Sequence, residues 1–203
     1  MVKINGELLE KDGKNVFVNA DDVHGLSQEA YWFMGGLLRH AYAMTAVTNP
    51  LVNSYKRLVP GYEAPIHIAW SARNRSPLIR VPSSRGQSTR IELRSPDTAA
   101  NPYLALAVCL AAGLDGIKNR IDPPAEIVQN IYAMTDKERK AQGIRSLPSN
   151  LLEAIRAMED DAFVTSVLGE HLAECYIRAK KQECEAYSMQ VSQWELNEYL
   201  GKY

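Results

Sequence analysis

Residues 89–117 read TRIELRSPDTAANPYLALAVCLAAGLDGI, and a change of rhythm within them sets the fold class. From Thr89 to Leu93 the run is β-prone. Ile91 and Leu93 alternate with Arg90, Glu92 and Arg94, the period of a strand with one face in a core. Asn101-Pro102 then opens a helix, with asparagine as N-cap and proline at the first helical position, where its missing N–H has no partner to lose. Tyr103 to Ile117 is apolar almost all round, which predicts a central buried helix.

Upstream, residues 48–100 carry Pro50, Pro60, Pro65, Pro77, Pro82 and Pro96 among short strand-like runs, Ile66–Ile68 and Leu78-Ile79. Such a strand-and-loop region is where functional groups sit on a rigid scaffold. Before it, Ser27 is the expected N-cap of a helix, with Glu29 in its first turn. Leu26, Ala30, Phe33, Leu37 and Ala41 recur at helical spacing to about Val47, and Asn49-Pro50 ends the run. Val2–Ile4 and Asn15–Val18 predict an N-terminal hairpin joined through Asp12-Gly13. Residues 122–203 read as helices with short breaks, one opening at Pro148-Ser149-Asn150 and a longer one from about Gly169 to Tyr187. The expected class is α+β: a few antiparallel strands packed with helices, and a C-terminal third that is all helical.

Composition narrows the function. With 23 basic against 24 acidic residues, the chain has no global field to attract nucleic acid or a membrane surface. Its longest apolar stretch, Tyr103 to Leu114, is too short to span a bilayer. Cys109, Cys175 and Cys184 have no metal-binding spacing and read as reduced, packed thiols of a cytoplasmic protein. His24, His40, His67 and His171 show no zinc grammar.

Charge is nevertheless concentrated locally. Arg57, Arg73, Arg75, Arg80, Arg85, Arg90 and Arg94 have only Glu63 and Glu92 as acidic company between them, so an anionic ligand is the expected partner. Arg90, Glu92 and Arg94 share one face of their strand, and Glu92 there is suited to holding a divalent cation. A lone R-x-E-x-R is more often an ion-pair ladder on a solvated face; the five further arginines tip the balance. Glu63 lies in a loop bounded by Pro60-Gly61 and Pro65, the position of a mobile flap.

These stretches resemble class I glutamine synthetases. Asn53 to Pro65 is similar to that family's glutamate-binding stretch. Trp70 to Ser76 with Ile79 to Pro82 resembles its ATP-phosphate stretch, and Arg90 to Asp97 followed by Ala100 to Leu104 its metal and glutamate strand. The likeness continues through Ala112 to Asn119 and Gln193-Trp194-Glu195, so residues 1–203 resemble the C-terminal portion of the catalytic domain. The family's N-terminal β-rich domain and the first part of its catalytic domain have no counterpart here.

The resemblance implies ATP-dependent ligation of ammonia to L-glutamate through γ-glutamyl phosphate, with Mg²⁺ or Mn²⁺, in a cytoplasmic dodecamer. It implies Glu63 and Arg75 as catalytic residues, and Arg57, Glu63 and Arg94 as glutamate-binding ones. Arg75, Arg80 and Arg90 would bind ATP, and Glu92 a metal. The isolated chain is expected to be inactive. A related γ-glutamyl-amine ligase or a non-catalytic homologue is the alternative. Two departures stand out. Ser84-Arg85-Gly86-Gln87 replaces a stretch where some members carry a lysine. Tyr132, near the position of an adenylylated tyrosine in some relatives, has different neighbours and reads as a packed helix tyrosine.

Overall fold

The structure, a computed structural model, describes residues 4–6, 12–61 and 64–202. Its sheet has the order β1-β4-β3-β2-β5, where β1 is Ile4–Gly6, β2 His67–Ser71, β3 Pro77–Arg80, β4 Ile91–Leu93 and β5 Arg145–Ser146. The helices are α1 (Gln28–Thr48), α2 (Pro102–Asn119), α3 (Asp136–Ala141), α4 (Leu151–Glu159), α5 (Ala162–Leu168), α6 (Glu170–Ser188) and α7 (Gln193–Tyr199).

The sheet is mixed. β1 with β4, β4 with β3, and β2 with β5 are antiparallel as expected, but β2 and β3 run parallel, with His67 opposite Pro77 and Ser71 opposite Arg80. Parallel neighbours usually need a crossover of about a dozen residues or more. Here residues 72–76 run back along the sheet instead. Five residues at roughly 3.3 Å each suffice to retrace a strand of four or five.

The expected N-terminal hairpin falls partly on residues 1–3 and 7–11, outside the described residues. Ile4–Gly6 takes Ile91–Leu93 as its partner, and Val18 forms a single bridge with Leu26.

Helix starts follow the sequence. The Ser27 hydroxyl accepts from the Ala30 amide at 3.2 Å, and the Asn101 side chain from Tyr103 and Leu104. Asn49 caps the end of α1, and Asn150 accepts from the Glu153 amide at the start of α4.

Against α1, α2 lies backbone to backbone. A Cβ on Gly36 would sit 2.0 Å from the Ala112 carbonyl, and one on Gly116 would sit 2.0 Å from the Trp32 carbonyl. His40 fastens the pair further, its Nε2 3.0 Å from Asp115 on α2 and its Nδ1 3.6 Å from Asp161 at the start of α5. The main core runs from Phe17 through α1 to Leu78, Ile79 and Ile91 of the sheet and to Ile155 and Met158 of α4.

One expectation for the helices fails. The all-round apolar character of α2 does not mean burial on all sides. Val108, Cys109 and Ala112 are buried, while Tyr103 (83% exposed), Leu106, Leu110 and Leu114 form an exposed apolar stripe. The C-terminal region is helical as expected, from Leu151 to Tyr199, but the breaks before it are longer than the sequence suggests. The polypeptide follows an irregular path from Ile121 to Asn130 and gives strand β5 before its long helices begin. Pro123-Pro124 cannot sit inside a helix, and the segment's contacts go to the sheet.

Candidate functional site

Strands β3 and β4 bring the charged residues together. Opposite residues of an antiparallel pair share a face, and Arg80 stands opposite Glu92. Glu92, only 3% exposed, accepts through Oε2 from Arg80 Nε at 2.9 Å and Nη2 at 2.7 Å, and through Oε1 from Arg90 Nη2 at 3.3 Å. Arg94 directly follows β4, and its amide donates to the Leu78 carbonyl at 3.1 Å.

Arg94 is 5% exposed, and burial together with the Arg80 charge pushes its pKa down. One nitrogen, Nη1, donates to the Arg75 carbonyl and, at 3.4 Å, to the Pro77 carbonyl. Among the described residues its buried Nε has no hydrogen-bond partner. A buried donor left unmade costs about 1–3 kcal/mol, so this edge of the guanidinium is a seat for an acceptor from outside the described residues.

Arg57 comes from the 3-10 turn at Val52–Lys56 and reaches the far end of β4. Its Nη2 donates to Asn49 Oδ1 at 2.8 Å and to the Ser95 carbonyl. The Arg57 charge also helps to hold Asp97 below the usual carboxylate range. Hydrogen bonds from Ser54 and the Ala99 amide contribute more, and together these outweigh the opposing effect of burial.

The arginine set is less lacking in partners than its sequence suggests. Arg80 and Arg90 share Glu92, while Arg85 donates to the Pro82 and Ser84 carbonyls. Among the described residues, the guanidinium groups of Arg73 and Arg75 have neither an ion pair nor a hydrogen bond, and both residues are exposed. Glu63, with Tyr62, lies outside the described residues.

A divalent cation takes about six oxygen ligands, and here Glu92 is one carboxylate already held by two arginines. No group of three metal-ligating side chains occurs among the described residues. They do not fit a complete metal site by themselves.

Sequence reasoning missed the segment 121–130. Glu126 Oε1 accepts from the Ala72 amide at 2.8 Å and from Ser71 Oγ at 3.2 Å, next to the arginine-bearing return between β2 and β3. Glu126 is one acidic residue in a Pro-containing stretch, and nothing in its spacing marked it. Tyr132 sits in a 3-10 turn, Ile131–Ala133, and not in a packed α-helix; its ring is 5.8 Å from that of His67. Cys109 is packed as expected, and burial pushes its thiol up to about 12. No helix among the described residues is long and apolar enough to cross a membrane.

Residues 4–199 match the family model "Glutamine synthetase, catalytic domain". A glutamine synthetase of Clostridium saccharobutylicum is 56% identical over 195 residues, 96% of this chain and 44% of that protein. One of Methanosarcina mazei is 57% identical over 197 residues, again covering 44% of its own length. The chain therefore spans less than half the length of these relatives. Among solved structures, "GmaS/ADP complex-Conformation 1" superposes with a TM-score of 0.86 at 39% identity, covering 98% of this chain and 45% of that one.

Proposed function

The chain belongs to the glutamine synthetase catalytic-domain family, and on that footing we propose that it supplies the arginine-bearing part of an enzyme that ligates ammonia to L-glutamate with ATP. The observation that carries the reading is Arg94, a guanidinium fixed by two carbonyls on one nitrogen and left with a buried, partnerless Nε. A planar fork in that state is prepared for a carboxylate.

In this reading Arg94 and Arg57 grip glutamate, Arg94 at the γ-carboxylate and Arg57 toward the α-carboxylate. Arg75, Arg80 and Arg90 receive the phosphates of ATP, and Glu63 is the flap carboxylate that helps deprotonate ammonium. A γ-carboxylate oxygen attacks the γ-phosphorus of ATP and ADP leaves. Ammonia then attacks the acyl carbon of γ-glutamyl phosphate and inorganic phosphate leaves. Fixed cations aimed at the transferring phosphoryl group lower the barrier, because they need no reorganisation as charge develops. Divalent metal adds charge neutralisation when bound. Glu92 is the candidate ligand from this chain, with the remaining ligands supplied from outside the described residues. The oligomer and a cytoplasmic location belong to the same reading.

A related γ-glutamyl-amine ligase is the second reading. The 56% identity to a protein named glutamine synthetase favours ammonia. The test is a chimaera in which residues 4–199 replace the matching segment of the Clostridium saccharobutylicum relative. Glutamine formation that needs glutamate, ammonium and ATP is expected. An assembled but inactive chimaera overturns the proposal, and preference for a primary amine over ammonium selects the second reading.

A further inference from the structure

We propose that Asn74 and Glu126 are positioning residues, which set the Arg75 guanidinium by tying the 72–76 return to the irregular segment 121–130. This rests on the phosphate-binding role given to Arg75 above.

A return of five residues between parallel strands has no ladder of its own, so its backbone groups need side-chain partners. Asn74 supplies them on both sides. Its Nδ2 lies 2.8 Å from the Ile127 carbonyl, 3.1 Å from that of Val128 and 3.2 Å from that of Gln129. Its Oδ1 accepts from the Ser76 amide at 2.9 Å and from Ser76 Oγ at 2.7 Å, and Ser76 Oγ in turn accepts from the Ile131 amide at 3.0 Å. Carbonyls only accept, so the amide has one consistent orientation.

Glu126 holds the start of the return through Ala72 N and Ser71 Oγ, and that hydroxyl accepts from the Arg73 amide at 3.0 Å. Arg94 holds the carbonyl of Arg75 itself. The backbone of Arg75 is thus fixed from both sides while its guanidinium projects, exposed, with no partner among the described residues. A donor whose backbone is locked and whose side chain stays open is what preorganisation for an anion requires.

Asn74 and Glu126 touch no reacting atom in this scheme, so their effect must pass through Arg75. In the chimaera, Asn74→Ala and Asn74→Asp both discard the donor to the three carbonyls. Each is expected to raise KM for ATP roughly ten- to hundredfold, and to leave KM for glutamate within about twofold. Glu126→Ala should act in the same direction, whereas Glu126→Gln keeps an acceptor at Oε1 and should stay near the parent. Gly36→Ala serves as a control that lowers stability away from the site.

An Asn74→Ala enzyme whose two KM values move together overturns the proposal. So does an unchanged KM for ATP in Asn74→Ala when Arg75→Ala raises it. If Arg75→Ala itself has no effect on ATP, the phosphate reading fails, and this proposal with it. On the 203-residue chain, Asn74→Ala should also speed amide exchange at Ile131, and unchanged exchange there would break the tie.

Discussion

The arginine end of the sheet and the α1–α2 contact hold backbone in place by opposite means. At the sheet, long charged side chains reach back to carbonyls: Arg94 to Arg75 and Pro77, Arg57 to Ser95, Arg85 to Pro82 and Ser84. Where α1 crosses α2 at Gly36 and Gly116 no side chain intervenes, and the two backbones touch. The first arrangement leaves nitrogens over for a ligand, as at Arg94 Nε, while the second leaves room for nothing. Changes at the sheet end should therefore alter chemistry more than stability, and changes at the helix contact the reverse.

The largest expected effect separates the chain from the chimaera. The 203-residue chain should form no detectable glutamine from glutamate, ammonium, ATP and Mg²⁺. Its described residues hold no group of three metal ligands, and phosphoryl transfer needs metals fixed against the phosphates. Turnover near that of the chimaera would show the sheet end to be sufficient alone.

Next comes the contrast between two arginines. In the chimaera, Arg94→Ala should lower kcat/KM for glutamate by about a hundredfold or more, the usual cost of a donor lost at the reacting centre. Arg73→Ala should change it less than about twofold, since no ligand is assigned to that exposed guanidinium. Equal losses would mean that burial and fixation do not mark the functional arginine.

The helix contact gives the mirror image. In a helix interior, alanine normally stabilises relative to glycine by about 0.5–1 kcal/mol. Gly36→Ala and Gly116→Ala should instead destabilise the chain by about 1–3 kcal/mol in urea titration, because each new methyl meets a backbone carbonyl and forces the helices apart. The same substitutions in the chimaera should leave both KM values unchanged. A gain in stability would sink the close-contact account.

Much of this contrast was legible in the sequence, but unevenly. Ser27, Asn49 and Asn101-Pro102 set helix ends through local chemistry, and a single sequence carries local chemistry well. The face shared by Arg90 and Glu92 followed from a period of two. Partnership was not legible, because Arg57, Arg85 and Arg94 donate to backbone carbonyls, and every residue offers a carbonyl. Nor was the parallel pairing of β2 with β3, since the short link at 72–76 argued for a hairpin. The path of 121–130 depends on donors in the 72–76 return that lie about fifty residues away. For α2, composition alone could not tell a face packed on α1 from the equally apolar stripe of Tyr103, Leu106, Leu110 and Leu114.

The smallest expected effect concerns His67, at the start of β2, which is buried yet has no acidic partner among the described residues to hold a proton. Its Nδ1 lies 3.2 Å from Ser146 Oγ, its ring faces Tyr132, and burial, helped by the Arg139 charge, pushes its pKa down to about 4. In the unfolded chain the imidazole titrates near the ordinary value of about 6.5. Below that value the unfolded chain binds a proton that the folded chain refuses. The stabilising term is therefore complete above about pH 6.5 and is lost progressively toward pH 4. Allowing for screening by solvent, the loss should be on the order of 1–2 kcal/mol. Other groups titrate over the same range, so the measurement is a difference. Urea unfolding of the chain and of His67→Gln would be compared at about pH 7.5 and about pH 4.5, outside and inside the titration window. The glutamine keeps polar atoms toward Ser146 but cannot take up the proton, so its stability should fall less between the two values. Equal falls would show that His67 is protonated when folded. The start of β2 would then need an anionic partner that the described residues do not supply.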